Sequence, residues 1–245
     1  MPVLDVSQWA VVLLSLFLVG FSKTGVSGAG TVAVALFAIV LPAKQSTGVL
    51  LPLLLVGDVV AVAVYRSHAD WPKLIRLFPW VAGGVVVGAL VVRWVDDTQM
   101  KRLIGGILLT ILVVHLWNRR RDPEASLAHH RPVAALAGAF AGFATMAANA
   151  AGPIMALYLL AAGLPVLGFL GTSAWFFLIL NAFKVPFSVA LGLITPATLA
   201  FGALVFPAVL AGAAAGRVVV RRIDRKRFEQ VTVALTVLAA VRLLV

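Results

Sequence analysis

The chain has 245 residues, of which 62% are hydrophobic and only 12% are charged, and its mean hydropathy is +1.07. Soluble domains usually contain about 25% charged residues, so this composition excludes a soluble protein and predicts an integral membrane protein. The formal charge of +11 is concentrated in short links between apolar runs, which indicates topology signals rather than a nucleic-acid partner. The absence of cysteine excludes disulfides, thiolate metal sites and thiol catalysis.

Ten apolar runs follow one another along the chain and predict an all-α polytopic membrane protein. The first, second, sixth and seventh runs are short for a hydrocarbon layer that takes about 20 apolar residues to cross. We interpret the other six runs as full crossings. The ten runs cover residues 8–21, 28–41, 45–65, 77–92, 103–118, 133–148, 150–163, 166–191, 196–216 and 228–245.

Each pair of short runs is joined by a segment of small residues, 20–30 in the first half and 142–152 in the second. An unwound glycine-rich segment at membrane depth is tolerated only where protein encloses it or where it lines a cavity. We therefore predict two hairpins of short helices, 8–41 and 133–163, whose tips lie inside the protein and form a binding site.

The chain divides into two similar halves, 1–118 and 132–245, separated by the charged linker 119–131. The matched positions are Gly20 with Gly142 and Gly30 with Gly152 at an offset of 122, Asp58 with Asn181 at an offset of 123, and Pro79 and Gly84 with Pro207 and Gly212 at an offset of 128. One hairpin and three crossings per half make the number of crossings odd. The second half then enters the membrane from the opposite side, which predicts an inverted-topology repeat, an architecture common in secondary transporters.

The distribution of basic residues predicts the orientation in the membrane. The links 66–76, 119–131 and 217–227 lie on one face in the hairpin topology and carry 13 of the 20 Lys and Arg residues. Basic loops face the cytoplasm, so we expect the linker to be cytoplasmic and both termini to be periplasmic or extracellular.

Three residues inside the apolar runs carry a full charge: Lys23, Asp58 and Lys184. A charge near the bilayer centre costs roughly 2.5–3.5 kcal/mol, so each needs a partner or a wet cavity. Two cations and one carboxylate around one axis favour an anion site, to which Lys23 and Lys184 attract the anion. Asp58 then either balances a lysine or carries a coupling proton. The alternative is a structural Lys–Asp pair that holds helices together.

Hydroxyl, amide and backbone groups at the two tips and on the eighth run are the remaining candidates for substrate binding. Serine and threonine in membrane helices also bond to their own backbone, so each of these residues has a structural alternative. The candidates are Ser22, Thr24, Gly25, Ser27 and Gly28 in the first half and Thr145, Asn149, Thr172, Ser173 and Asn181 in the second.

Enzyme and cofactor signatures fail in this sequence. The pattern that begins at Gly28 fits the loose dinucleotide motif, but no strand precedes it and no βαβ unit is available. His129 and His130 in the linker are a weak metal signal for which an interfacial loop is the simpler explanation. We predict no catalytic residue, no cofactor and no metal.

The first tip, 20–30, and the stretches 145–153, 171–177 and 181–186 of the second half resemble the sulfite exporter TauE/SafE family, also called the toluene-sulfonate uptake permease family. The resemblance covers nearly the whole chain. It implies a transporter in the bacterial inner membrane for sulfite, organosulfonates or related small oxyanions. Lys23 and Asp58 depart from the more uniformly glycine-rich first motif of many members, and this leaves the substrate open.

The interpretation is therefore an inverted-repeat secondary transporter that binds a small anion within the lipid bilayer and works by alternating access. Coupling to protons and assembly as a homodimer are both compatible with the sequence. A passive anion channel is the alternative from another class, since it would use the same basic centre, and a membrane enzyme or scaffold is a more distant one.

Overall fold

The computed structural model describes residues 4–24, 29–118, 131–219 and 241, and all regular structure in these ranges is helical. The nine α-helices are α1 (Val6–Thr24), α2 (Ala29–Val40), α3 (Ala43–Tyr65), α4 (Trp71–Trp94), α5 (Asp97–Asn118), α6 (Arg131–Ala148), α7 (Gly152–Ala161), α8 (Val166–Ala190) and α9 (Pro196–Val219). A short 3-10 turn, Arg66–His68, connects α3 to α4. The predicted all-α fold is confirmed for these residues. The linker 119–131 and the last predicted run, 228–245, lie almost entirely outside them.

Five helices in the described ranges are long and apolar enough to cross a membrane, which confirms a multi-pass membrane protein. They cover Val6–Thr24, Ala43–His68, Trp71–Trp94, Leu167–Ala190 and Pro196–Val218. α1 has 19 residues and therefore reaches crossing length, although the sequence favours a short hairpin arm there. The second arms are short in both halves, with 12 residues in α2 and 10 in α7.

The helix breaks at the two tips are narrower than the sequence predicts. α1 continues through Thr24, so Lys23 is helical rather than part of an unwound loop. α6 continues to Ala148, and the break in the second half is confined to the three residues before Gly152. Gly20 and Gly142, which begin the two predicted breaks, are both helical, and each lies where another helix approaches closely.

α1 packs directly against α9 through glycines on both helices. A Cβ atom at Gly20 would collide with the carbonyl oxygen of Val209, and a Cβ atom at Gly212 would collide with that of Phe17. Only glycine allows two helix backbones to approach this closely. The first helix of the first half is therefore bound to the last described helix of the second half.

The glycines matched to these two, Gly142 and Gly84, hold α6 against α4. A Cβ atom at Gly84 would collide with the carbonyl oxygen of Ala139, and one at Gly142 would collide with that of Val81. Gly20 matches Gly142, and Gly84 matches Gly212, in the offsets between the halves. The two halves thus exchange equivalent helix contacts. An inverted repeat would produce this exchange, and the inverted topology itself stays a prediction.

α3 and α8 run antiparallel through the centre of the molecule. Gly48, near the start of α3, lies against the backbone of Leu193 just after α8, while Gly171, near the start of α8, lies against the backbone of Tyr65 at the end of α3. Near the middle of the pair, Asp58 faces Asn181. These two helices carry the polar groups of the site into an otherwise apolar core.

The link between α3 and α4 is fixed to the first turns of α8. The backbone N–H of Asp70 donates to Thr172 Oγ1 over 2.9 Å, and the indole N–H of Trp175 donates to the carbonyl of Arg66 over 3.3 Å. Asp70 also caps α4: its carboxylate accepts from the backbone N–H of Lys73 over 3.1 Å and pairs with the Lys73 ammonium at 2.5 Å. Partial burial alone raises the pKa of Asp70, but these bonds outweigh it and hold the pKa below its ordinary value.

Candidate anion-binding site

A cavity of about 110 Å³ lies where both hairpins meet α3 and α8. One water needs about 10–15 Å³ by the same measure, so the cavity accommodates several waters or one small polyatomic ligand. It is lined by Ser22, Lys23, Gly30, Thr31, Val34, Leu54, Asp58, Ala61, Thr145, Asn149, Ala150, Gly152, Pro153, Ala156, Phe169, Leu170, Ser173, Ala174, Phe177 and Asn181. Most of these residues are apolar or small, and the polar groups are few and convergent, as is usual for a small-molecule site.

An ion pair between Lys23 and Asp58 forms one side of the cavity. Lys23 Nζ lies 2.6 Å from Asp58 Oδ1, and the two side chains are 11% and 1% exposed. Among the described residues Asp58 Oδ1 has no well-aligned hydrogen bond, so the contact is electrostatic in character. Lys23 Nζ also lies 4.5 Å from the centre of the Phe177 ring, a favourable cation–π position. Gly57 leaves room for the lysine stem, because a Cβ atom there would lie 3.0 Å from Lys23 Cγ.

Asn181 links this pair to the second half of the chain. Its side-chain Nδ2 donates to Asp58 Oδ2 over 2.6 Å, and both residues are buried. Asp58 and Asn181 are matched positions of the two halves, 123 residues apart. The carboxylate therefore has a neutral hydrogen-bond donor on one oxygen and a cation on the other.

Lys184 lies one helical turn beyond Asn181 and is 1% exposed. Its ammonium donates to Asn149 Oδ1 over 2.6 Å and to Thr145 Oγ1 over 3.1 Å, with a longer contact of 3.5 Å to Asn181 Oδ1. All three acceptors are neutral, and all three line the cavity, so Lys184 lies directly behind its wall. No carboxylate in the described part of the chain forms an ion pair with Lys184.

Asn149 holds the second tip in place. It has a φ of 50°, a left-handed conformation that asparagine adopts more readily than most residues. The N–H of Asn149 bonds to the carbonyl of Thr145, four residues earlier, which is the αL pattern of a helix end, and the N–H of Ala150 reaches the carbonyl of Ala144. Asn149 Nδ2 donates to the carbonyl of Thr47 on α3 over 3.2 Å. Its amide therefore connects the tip to both central helices.

The second arm of each hairpin starts at the cavity wall. Gly30 and Thr31 in the first turn of α2 line the cavity, as do Gly152 and Pro153 in the first turn of α7. Helix N-termini carry partial positive charge and backbone N–H groups without helical partners. Together with Lys184, they give the cavity an environment that stabilises negative charge.

Ser22 and Ser173, both predicted as binding residues, line the cavity. The hydroxyl of Ser22 also bonds to the carbonyl of Val19 in its own helix over 2.8 Å, the structural alternative that the sequence leaves open for each hydroxyl. Both hydroxyls remain binding candidates by their position.

Two predicted threonines lie away from the cavity and bond to other groups. Thr24 Oγ1 donates to the carbonyl of Ala213 on α9 over 2.6 Å, and Thr172 Oγ1 accepts the N–H of Asp70. In this structure both hydroxyls connect helices. The predicted binding residues Gly25, Ser27 and Gly28 lie outside the described residues.

Several lining residues were not predicted from the sequence. Thr31 and Pro153 are matched at the offset of 122, directly after the matched glycines that the repeat identifies. Extending the repeat comparison by one residue would have found them. Phe169 carries no comparable signal, because an apolar aromatic on a membrane helix is indistinguishable in sequence from a lipid-facing residue.

Metal ligands are not clustered in the described ranges, where no group of three His, Cys, Asp or Glu side chains could hold an ion. His129 and His130 lie outside these ranges. The polar groups around the cavity comprise two ammonium groups, one carboxylate, amides and hydroxyls, a set suited to binding and orienting an anion.

One protein family has a sequence pattern that matches this chain over almost its full length. The family model described as Sulfite exporter TauE/SafE matches residues 12–243, nearly the full length. Comparisons with curated proteins and with solved structures gave no match. The matched region includes α1 from Val12 onward, the other eight described helices and every residue of the cavity lining.

Proposed function

Because the chain belongs to the sulfite exporter TauE/SafE family, whose members are transporters rather than enzymes, we propose that it is a secondary transporter. Its substrate is a small sulfur-containing anion such as sulfite, an organosulfonate or a related oxyanion. It works by alternating access in the bacterial inner membrane, with both termini on the outer side. Coupling to a proton gradient and a homodimeric assembly are further parts of the proposal.

The observation that carries the proposal is the position of the buried charges. Lys23 comes from the first hairpin, Asp58 from α3 and Lys184 from α8, and the three meet around one cavity through Asn181. Charges inside a membrane are costly and mark substrate or ion pathways. Two cations against one carboxylate favour a negatively charged substrate.

The cavity is asymmetric in a way that supports alternating access. On α8 it reaches Phe169 and Ser173, whereas the matched residues of α3, Ser46 and Leu50, are buried and do not line it. The cavity therefore extends toward the side of the α3–α4 link, which the basic residues assign to the cytoplasm. A state that faces one side of the membrane would have this asymmetry, and exchange of the two halves would produce the opposite state.

Flux into proteoliposomes tests the proposal. We expect purified protein to accumulate sulfite or a short organosulfonate in a saturable manner, and an imposed pH gradient to drive this accumulation if protons are coupled. Lys23→Ala is expected to lose at least tenfold in uptake. Lys101→Ala, which removes a lysine on α5 outside the cavity lining, is expected to retain the uptake of the wild-type protein.

Two results would contradict the proposal. Conductance that is too large for a carrier, with no accumulation under any imposed gradient, would indicate a passive anion channel. Absence of flux for sulfite, organosulfonates and thiosulfate would reject a sulfur-containing substrate and require a wider panel that includes carboxylates.

A further inference from the structure

The formal charges that surround the cavity are few enough to count. Among the described residues, the ionisable side chains at the cavity wall or directly behind it are Lys23, Asp58 and Lys184. The segment 25–28, which lies outside the described residues, contains no ionisable side chain. With all three groups ionised, the protein contributes a net charge of one positive unit to the site.

The two lysines are not equivalent in this count. Lys23 is cancelled by Asp58 at 2.6 Å. Lys184 has only the neutral oxygens of asparagine and threonine as partners. The uncompensated charge is therefore that of Lys184, which acts on the cavity through the amide and hydroxyl groups in front of it.

Electrostatic interactions are stronger in this apolar environment than in water, so the total charge of the occupied site matters. A buried charge without compensation is costly. A ligand of charge −1 makes the occupied site neutral, whereas a dianion or a neutral ligand leaves one unit uncompensated. We propose, building on the anion transport proposed above, that the site selects ligands with a single negative charge and that Asp58 sets this selection by cancelling Lys23.

This selection has a direct consequence for sulfite, which exists as a dianion and as the monoanion hydrogensulfite. The site takes hydrogensulfite, so one proton crosses the membrane as part of the ligand. No bond is made or broken within the protein. The pH then sets the fraction of sulfite that is in the transported form, whereas an organosulfonate has no such equilibrium.

Three tetrahedral sulfur compounds of similar shape separate charge from geometry: dimethyl sulfone is neutral, methanesulfonate is a monoanion and sulfate is a dianion. Their binding to purified protein in lipid nanodiscs is measured by isothermal titration calorimetry. We expect the wild-type protein to bind methanesulfonate at least tenfold more tightly than either of the other two. Specificity is a difference of affinities, so the ratio between ligands is the quantity to compare.

Variants that change the net charge of the site are expected to change which of these three ligands is preferred. Asp58→Asn raises the net charge to two units and is expected to shift the ratio at least tenfold toward sulfate. Lys184→Gln lowers it to zero and is expected to shift the ratio at least tenfold toward dimethyl sulfone. The double variant Asp58→Asn/Asn181→Asp keeps a carboxylate at the matched position and is expected to restore the wild-type order.

Each readout is a ratio of two ligands on one protein, so a reduced folded fraction does not change it. Ratios that stay within twofold of wild type in both single variants would overturn the inference, while binding of methanesulfonate by the wild type would leave the proposed function in place. A wild-type protein that binds neither these anions nor sulfite would instead overturn the proposed function. If Asp58→Asn cannot be purified, Lys184→Gln and the double variant decide the question.

Discussion

Removal of one partner of the Lys23–Asp58 pair is expected to destabilise the protein far more than removal of both. At 2.6 Å the attraction between two unit charges is about 6 kcal/mol at an effective dielectric constant of about 20. The desolvation of two buried ions costs several kcal/mol each, so the pair as a whole is close to balance. A single substitution leaves the other charge buried and uncompensated, which costs about 3–5 kcal/mol.

The prediction is a double-mutant cycle with Lys23→Met, Asp58→Asn and the combination. Each single variant is expected to lose about 3–5 kcal/mol, and the double variant only about 1 kcal/mol or less, because asparagine preserves an oxygen that accepts the hydrogen bond from Asn181. The coupling energy, which is the sum of the two single losses minus the loss in the double variant, is then at least about 5 kcal/mol. Unfolding by SDS in mixed micelles, followed by tryptophan fluorescence and circular dichroism, measures all four proteins.

A matched control is the partly exposed pair of Lys73 and Asp70, whose side chains are 34% and 23% exposed. Exposed pairs are screened by water, so the cycle with Lys73→Met and Asp70→Asn is expected to give a coupling energy below about 1 kcal/mol. If the losses at Lys23 and Asp58 add to within about 0.5 kcal/mol, the two charges are not coupled, and the account of Lys23 and Asp58 as a compensated pair is wrong.

Three further predictions concern packing, the second tip and pH. Gly20→Val is expected to cost at least about 1–3 kcal/mol of stability through overpacking against α9, whereas Gly106→Val, which meets open space, is tolerated. Asn149→Gly keeps the left-handed backbone and removes an acceptor of Lys184, so anion affinity is expected to fall severalfold, while Asn149→Ala also loses stability. Asp70→Asn is expected to lower the melting temperature at neutral pH. That difference disappears as the pH falls through the lowered pKa of Asp70, because protonation removes the same stabilisation.

Each of these predictions has a result that contradicts it. Equal unfolding free energies for Gly20→Val and Gly106→Val would show that α1 and α9 do not approach as closely as described. Unchanged affinity in Asn149→Gly, measured by calorimetry with methanesulfonate, would remove Asn149 from the site. A difference in melting temperature for Asp70→Asn that persists at acid pH would show that the Asp70 carboxylate is not the origin of the stabilisation.

The helical fold could be read from the sequence because each apolar run has a length that only a helix can use in a membrane. The positions of the breaks could not. Gly20 and Gly142 resemble helix breakers in sequence, but each is needed where another helix backbone passes, at Val209 and at Val81. The sequence does not distinguish a glycine that permits a turn from one that permits a close helix contact, because the difference depends on the neighbouring helix.

The residues of the site could be predicted from the sequence only in part. Lys23, Asp58 and Lys184 could be identified because charges are rare in apolar runs, and the structure brings them together. Their pairing could not be foreseen, because two lysines compete for one carboxylate and the outcome depends on side-chain reach. The partners of the Thr24 and Thr172 hydroxyls could not be predicted either, since each bonds to a segment remote in sequence. Binding itself stays a prediction for all of these residues.

The contact between α1 and α9 sets an order for biosynthesis. Thr24 and the carbonyl that it reaches on Ala213 are 189 positions apart. At about 5–20 residues per second, the ribosome needs roughly 10–40 s to supply α9 after α1 has emerged. During this interval the glycine face of α1 must be covered by lipid, by α2 or by the insertion machinery. The first hairpin can reach its final packing only after α9 has been synthesised, so the site cannot be complete before then.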